Sequence, residues 1–262
     1  MTRGPEHLPV VETDRDLDDW GRSERLSRTL DRTLWDAAYK YWYRARLEQP
    51  RRVPATGGAL LIVNGGGTAS PVTALLAKAL REKHPQRRDA RPCADPELLD
   101  HPGFAVALKR AGVVAAHADD VRRLLADEDE LVVIGVRTDR LHDDAVEGDL
   151  ARHPALRAAI EAGVPVVPVV ARGIDDETHV VARLPLPGGR ELPLGLGVPA
   201  LGSLSAAALL PGAVDLRVLS PITPDARGDE TGETERIALS VARRLRHELD
   251  DMRRARRSRW VR

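Results

Sequence analysis

The chain has 262 residues, with forty Lys and Arg, forty Asp and Glu, and a single cysteine, Cys93. A net charge of zero provides no overall positive field to attract nucleic acid, and one cysteine excludes an internal disulfide and suits a reducing compartment. The length fits one large domain or two small ones, and the sequence contains no internal repeat and no domain linker. We therefore predict a cytoplasmic protein without a nucleic-acid partner.

The first fifty residues predict a helical arm. Residues 1–15 lack the apolar core of a secretory signal and are expected to be disordered. From Leu17, apolar side chains recur at steps of three and four, which predicts a helix. Its inner face is predicted to hold Leu26, Leu30, Leu34, Trp35, Ala38 and Trp42. The segment YKYWYRARLE, residues 39–48, places aromatic rings beside cations, which suits packing on the domain or contact with lipid headgroups.

Strands and helices alternate over the next part of the chain. The apolar run Gly58–Asn64 predicts a strand covered on both faces, followed by a helix from about Pro71 to Lys83. Further strands are predicted at 91–94, 113–116, 130–136, 164–172 and 214–222, and further helices at 101–112, 118–129 and 152–162. This alternation predicts an α/β fold with a largely parallel sheet flanked by helices.

The C-terminal part predicts a long basic helix over residues 234–259. Between Arg243 and Arg262 the sequence contains nine arginines and three acidic residues. One apolar stripe of the helix is predicted to pack on the core: Ile237, Val241, Leu245, Leu249 and Met252. The basic surface suits docking on anionic lipid or on an acidic carrier protein, or it is simply solvated. We divide the single domain into a helical arm (1–50), an α/β core (51–225) and this helix (226–262).

One stretch of 23 residues, 192–214, carries no charge. Its length alone would admit a membrane span, but three prolines and four glycines oppose a continuous helix. We predict an apolar loop with at most one short helix. This loop would pack on the core, cover an apolar pocket or touch a bilayer surface. The last possibility would make the protein peripheral at the inner membrane face.

Four segments in order resemble the glycerolipid acyltransferases, the superfamily that includes lysophosphatidic acid acyltransferases. They are VPATGGALLIVN (53–64), FAVALKRAGVVAA (104–116), RRLLADEDELVVIGVR (122–137) and AGVPVVPVVARG (162–173). The last is similar to that family's Gly-x-Pro-Val-Val-Pro-Val strand, and the likeness covers about residues 35–225. The resemblance implies an acyltransferase-like α/β fold with a helical arm ahead of it.

The same resemblance implies a catalytic histidine after the first strand and an aspartate a few residues later. Here those positions hold Gly65 and Ser70, or Thr73 in a longer register. Between Thr56 and Arg88 there is no aspartate, and the histidine found there, His84, lies at the far end of the predicted helix. The family's Phe-Pro-Glu-Gly block is also incomplete, since VVIGVRTDR keeps a glycine and Arg137 but no Pro-Glu pair. The resemblance therefore implies a degenerate member with no catalytic residue in the family positions.

The glycine-rich loop after the first strand is the candidate binding site. Consecutive backbone N–H groups at a helix start receive a phosphate or carboxylate, with a cation facing them. The predicted ligand-binding residues are Asn64, Gly65, Gly66, Gly67, Thr68 and Arg137. The alternative is that the glycines only fill the space of a lost side chain.

Three functions remain open from the sequence. The first is a non-catalytic protein that binds an acyl chain, a phospholipid, an acyl thioester or a partner protein. The second is an active acyltransferase with a relocated or substrate-assisted mechanism, for which His101, His117 and Cys93 are the candidates. The third is a phosphate- or nucleotide-binding α/β domain. No cofactor and no metal site is predicted.

Overall fold

The protein is built around a seven-stranded sheet with helices on both faces. A computed structural model describes residues 17–65, 71–100, 105–137, 141, 145–173, 179–186, 190–196, 213–225 and 230–260. The strands are β1 (Arg46–Glu48), β2 (Ala59–Asn64), β3 (Ala90–Ala94), β4 (Val114–Ala115), β5 (Leu131–Val136), β6 (Val166–Arg172), β7 (His179–Leu186), β8 (Arg190–Leu196) and β9 (Asp215–Val218). The helices are α1 (Glu24–Leu30), α2 (Pro71–Lys83), α3 (Pro96–Leu99), α4 (Ala105–Arg110), α5 (Ala118–Ala126), α6 (Ala145–Ala151), α7 (Pro154–Glu161) and α8 (Glu230–Trp260).

The order of strands across the sheet is β1-β9-β6-β2-β5-β3-β4. The five strands from β6 to β4 are mutually parallel, β9 is antiparallel to β6, and β1 is parallel to β9. This confirms the predicted α/β fold with a largely parallel sheet. It also places β2, the strand that precedes the glycine-rich loop, at the centre of the sheet.

Both faces of β2 are covered, which explains its uninterrupted apolar sequence. Successive side chains of a strand point to opposite faces. Leu60 and Ile62 belong to one core cluster, which includes residues of α5, α6, α7 and α8. Leu61 and Val63 belong to the other, which includes residues of α2 and of the arm. All six residues of β2 are buried, so the strand is a rigid base for the residues that follow it.

The predicted stripe on the C-terminal helix is confirmed. The side chains of α8 that face the core are at most 5% exposed: Ile237, Val241, Leu245, Leu249 and Met252. Burial of such apolar side chains stabilises by about 1.5–3 kcal/mol each relative to exposure, so α8 belongs to the core. The division of the chain at residues 50 and 225 stays a prediction.

The arm is helical, and its predicted inner face is confirmed in part, because Ala38 is buried and Trp35 and Trp42 pack against the core, whereas Leu34 does not. After α1 the helix widens into two π-helical segments, Asp31–Trp35 and Ala38–Trp42. The wider turns shift the buried face within the arm, and Leu34 is 42% exposed. Ser27 of α1, which was not predicted to face inward, is buried. The helix also starts at Glu24 and not at Leu17, and residues 46–48 form β1 instead of the helix end.

Ion pairs hold the arm against the core, which explains why polar residues face inward. Asp18 accepts from buried Arg91 at 2.6 Å. Asp31 contacts buried Lys78 at 3.0 Å and Arg81 at 2.6 Å. Periodicity of apolar residues cannot reveal such a seam, because the inward-facing groups are charged.

We expect the arm to undock in acid before the core unfolds. Burial raises the pKa of Asp18, but hydrogen bonds from the Arg22 backbone and from Arg91 outweigh it and lower that pKa below 3.8. A depressed carboxyl pKa stabilises the folded state above pH 3.8, and that stabilisation is lost as the pH falls through the folded value.

Hydrogen exchange of the arm amides at pH 6, 4 and 3, expressed as protection factors, checks this prediction. The variant Asp18→Asn, which has no charge to lose, should expose the arm already at pH 6. Equal loss of protection in the arm and in β2 at each pH would contradict it.

Several short elements were not predicted. These are β1, α3, α6 and the hairpin β7–β8, which forms a two-stranded sheet of its own. The expectation of a loop is wrong for residues 192–196, which lie in β8, whereas 197–212 lie outside the described residues. The last predicted strand, 214–222, is shorter, at Asp215–Val218. Within the described part of the chain, no helix combines the length and the apolar character that a membrane crossing requires.

Candidate functional site

The candidate site lies where the parallel strands β2, β5 and β6 end. We call this the carboxyl edge, and open α/β sheets bind their ligands there. Asn64 of β2 pairs with Val136 of β5, so Gly65 and Arg137 each follow the last paired residue of two neighbouring strands. Gly65 has a φ of 105°, a conformation that favours glycine. The structure thus brings together two of the predicted ligand-binding residues, while Gly66, Gly67 and Thr68 lie outside the described residues.

Asn64 fastens the end of β2 to β6. Its side chain is fully buried, its Nδ2 donates to the Ala171 carbonyl at 2.7 Å, and its Oδ1 accepts from the Ala171 N–H at 2.7 Å. The ladder between β2 and β6 ends at Val63 and Val169, so the amide group continues the pairing beyond the last backbone pair. This structural role is established by the contacts, and contact between Asn64 and a ligand stays a prediction.

The two arginines of the carboxyl edge differ in their surroundings. Arg172, the last residue of β6, forms an ion pair with Asp215 and also donates to the Met252 carbonyl at 3.5 Å. Arg137, which follows β5, is exposed. Arg137 is the more exposed of these two residues, and an exposed guanidinium is accessible to a phosphate or carboxylate ligand.

An imidazole, which the sequence analysis missed, and a carboxylate also lie at the starts of helices on this edge. Asp95 follows β3 and accepts from the Glu97 N–H at 3.4 Å, and His153 precedes α7 and accepts from the Ala155 N–H through Nδ1 at 3.2 Å. Each is followed by a proline at the first helical position, so the pairs Asp-Pro and His-Pro were the available sequence signal.

His153 is poorly arranged to act as a base. Burial lowers its pKa, and the charge of Asp95 opposes that shift only in part. Because Nδ1 accepts a hydrogen bond from the backbone, the proton of the neutral ring is assigned to Nε2, which then has no lone pair to offer. The ring therefore acts as a helix cap, and its Nε2–H can donate a hydrogen bond but cannot accept a proton.

The candidates for a relocated mechanism are not gathered around Gly65. Cys93 lies on β3, which β5 separates from β2, and two strand spacings amount to about 10 Å. His117 precedes α5, beyond β4 at the end of the sheet. His101 lies outside the described residues.

We expect Cys93 to be unreactive in the folded protein. Burial, with a contribution from the charge of Asp120, raises the pKa of this thiol to about 12, and the thiolate is the nucleophilic form. At pH 8 iodoacetamide should label the native chain at least a hundredfold more slowly than the chain unfolded in guanidinium. Mass spectrometry of the alkylated peptide measures both rates, and equal rates would contradict the prediction.

The opposite edge of the sheet carries a cleft of about 380 Å³, lined by residues that include Arg22, Gly57, Arg88, Asp89 and Glu130. Its cations are engaged in the structure, since Arg88 donates to the Gly57 and Asp129 carbonyls at 2.7 and 2.8 Å and Arg22 pairs with Asp89. The cleft therefore belongs to the seam that holds the arm. Among the described residues, no cluster of three or more His, Cys, Asp or Glu side chains has the arrangement to hold a metal ion.

Among curated proteins, the relatives that match this chain are themselves uncharacterized. No model of a known protein family matches the chain. An uncharacterized protein of Mycobacterium leprae is 29% identical over 113 residues, which cover 43% of this chain and 31% of the relative. Uncharacterized proteins of Mycobacterium bovis and Mycobacterium tuberculosis are 26% identical over 181 residues, which cover 65% of this chain and 51% of each relative. The chain thus spans about half or less of the curated relatives that it matches.

Among solved structures, the chain is similar to the 1-acyl-sn-glycerophosphate (LPA) acyltransferase PlsC from Thermotoga maritima. The TM-score is 0.49 with 15% sequence identity, and the superposition covers 86% of this chain and 79% of that chain. Similarity at this level does not by itself assign an activity to this chain.

Proposed function

We propose that this protein is a non-catalytic binding protein for an acyl chain or a phospholipid. One observation carries the proposal. The described residues that end β2, β5 and β6 and follow them include no group that takes up a proton near neutral pH: Asn64, Gly65, Val136, Arg137, Arg172 and Gly173. In the glycerolipid acyltransferases that the sequence resembles, the catalytic histidine would stand at Gly65.

Acyl transfer to a hydroxyl needs a base at this place, because the acceptor loses its proton as it attacks the thioester. Loss of a general base costs about 10²–10⁴ in rate, and an arginine cannot replace it because the guanidinium stays protonated. What the edge retains is an exposed cation, Arg137, and, at the end of the neighbouring strand, a glycine whose backbone leaves room for close approach. Such a site is suited to bind an anionic headgroup and not to catalyse acyl transfer to it.

Native mass spectrometry of the purified full chain, followed by lipid extraction, tests the proposal. We expect a fatty acid or phospholipid to remain bound, and we expect Arg137→Ala to lose most of it. Lys83→Ala, an exposed cation at the opposite edge, is the matched control and should retain the lipid. Transfer from acyl-CoA to lysophosphatidic acid, by protein purified from a host that lacks its own acyltransferase, would overturn it.

A phosphate- or nucleotide-binding domain is the second candidate. It is favoured by the left-handed φ of Gly65 and by the start of α2 at Pro71, directly after the glycine-rich loop. A long apolar ligand and a polar nucleotide differ in mass and in extraction, so the same experiment separates the two. A nucleotide in the aqueous phase and no lipid in the organic phase would favour this candidate.

An active acyltransferase with a relocated mechanism is the remaining alternative. With Cys93 and His117 away from Gly65, it depends on His101 or on a substrate that supplies its own base. Activity that is abolished by His101→Ala would support it.

A further inference from the structure

Two histidines in the described part of the chain stand directly before helices on the carboxyl edge, and their rings behave differently. His153 precedes α7, and its Nδ1 accepts from the Ala155 N–H at 3.2 Å. His117 precedes α5, and its side chain makes no cap bond. The same residue type at the same helix position thus has a capping role at α7 and none at α5.

Capping and protonation of His153 exclude each other. Nδ1 needs its lone pair to accept from the Ala155 N–H, so the proton of the neutral ring is on Nε2. A second proton can be added only at Nδ1, where it would face the Ala155 N–H as another donor. The resulting charge would also stand at the positive end of the α7 dipole. The cap therefore exists only while the ring is neutral.

Asp95 is the carboxylate available to a charged His153 ring. It follows β3, its charge acts on His153, and its own bond from the Glu97 N–H is long, at 3.4 Å. Charged groups on α7 itself and on the elements that pack against it are exposed or engaged elsewhere: Arg157 of α7 is exposed, Asp149 of α6 pairs with Arg152, Arg246 of α8 pairs with Glu147, and the charge of Asp120 of α5 acts on Cys93. The central strand β2 carries no charge.

The cap holds the far end of the segment that begins at Arg137. Residues 137–153 join β5 to α7 across the carboxyl edge. Within this segment, the carbonyl of buried Leu141 accepts from Arg246 of α8. At its end, the His153 carbonyl accepts from the N–H groups of Leu156 and Arg157 at 3.0 and 3.3 Å. Ring and backbone of His153 together start the helix, so loss of the ring contact loosens this anchor.

We propose that His153 is an acid-sensitive latch. The neutral ring caps α7, whereas the charged ring leaves Ala155, turns to Asp95 and opens the first turn of α7 with the end of the segment before it. One side chain serves both arrangements, so they are alternatives, and the charge of the ring decides which of them forms. The latch goes beyond the proposed function, because it needs no ligand at the carboxyl edge.

The direction of the pH dependence follows from the surroundings of the ring. Burial lowers the pKa of His153 below 6.5, and the charge of Asp95 opposes that shift only in part. Since the folded protein favours the neutral ring, the latch is closed above pH 6.5 and opens as the pH falls through the folded value.

Nuclear magnetic resonance of the full chain follows both parts of the latch. The ring signals of His153, identified by their loss in His153→Asn, report protonation, and the Ala155 amide signal reports the cap. We expect both to change with one midpoint below pH 6.5. Hydrogen exchange of the amides in the first turn of α7 should show a loss of protection of about fivefold, as for one N-cap. Asp95→Asn should move the midpoint to lower pH, because it removes the charge that favours the charged ring.

Two asparagine variants serve as a matched pair. His153→Asn keeps a cap acceptor that does not titrate, so its first turn should stay protected from pH 7.5 to 4.5. His117→Asn removes a histidine that makes no cap bond, and it should leave the acid opening of α7 unchanged. Circular dichroism checks that each variant is folded.

Three outcomes overturn the inference: an Ala155 amide that does not follow the His153 ring, equal acid opening in His153→Asn, or an equal loss of protection in β2 at the same pH. A chain that opens with the expected midpoint but carries no lipid supports the latch and overturns the proposed function. A chain that carries lipid but shows no opening does the reverse.

Discussion

Replacing Asn64 with alanine is expected to lower the free energy of unfolding by about 3–5 kcal/mol. The amide group is fully buried and satisfies both the N–H and the C=O of Ala171. Alanine leaves both backbone groups unpaired in the interior, at about 1–3 kcal/mol each, and adds a small cavity. Urea denaturation of the purified variant measures the change.

Asn64→Asp is the matched control, because it keeps the size of the side chain and replaces the amide donor with a carboxylate oxygen. At neutral pH the carboxylate would face the Ala171 carbonyl oxygen without a donor, so this variant should also be unstable. Burial raises a carboxyl pKa, and the protonated acid has the one donor and one acceptor that Ala171 requires. The Asn64→Asp variant should therefore be most stable below the pKa that the introduced carboxyl has in the unfolded chain. It should lose stability as the pH rises through the pKa of that carboxyl in the folded protein. A pH-independent deficit, or a cost for alanine below about 1 kcal/mol, would show that the amide does not fasten the strands.

Lys78→Met is expected to destabilise the protein by about 3 kcal/mol and to release the arm. The lysine side chain is 3% exposed and contacts Asp31, Asp36 and Glu82 at 3.0, 3.4 and 3.0 Å. Burial lowers the pKa of Lys78, but hydrogen bonds and charges of Asp31 and Glu82 outweigh it and raise that pKa, so the group stays charged. Removing it leaves several carboxylates together at a partly buried place.

Two measurements separate this effect from a general loss of stability. Limited proteolysis should cut the Lys78→Met variant within residues 24–45 before it cuts the core. Lys40→Met, which removes an exposed lysine paired with Asp36 on the arm itself, is the control and should change neither stability nor cleavage noticeably. Combining Lys78→Met with Glu82→Gln should recover part of the loss, since Glu82 is paired with Lys78 and its charge has no use once the lysine is removed. Equal behaviour of the two lysine variants would contradict the role of the buried seam.

The elements that the sequence predicted well share one property, a pattern that repeats within a short segment. The apolar run of β2, the Pro-Val-Val-Pro-Val segment of β6 and the stripe of α8 are read from neighbouring residues. The arm was predicted only in part, because several of its inward-facing residues are charged and its helix contains π-helical turns. The hairpin β7–β8 was missed because its prolines and glycines are typical of a loop.

By itself the sequence determined the α/β class, a strand covered on both faces before the glycine-rich loop, and the absence of a histidine or an aspartate where the resembling family has them. Only the tertiary structure decided that Asn64 bonds a residue 107 positions away, and that Gly65 and Arg137 follow the paired ends of neighbouring strands. The physical reason is that periodicity reports which faces are buried, whereas hydrogen-bond and ion-pair partners depend on distant segments that meet only when the sheet forms.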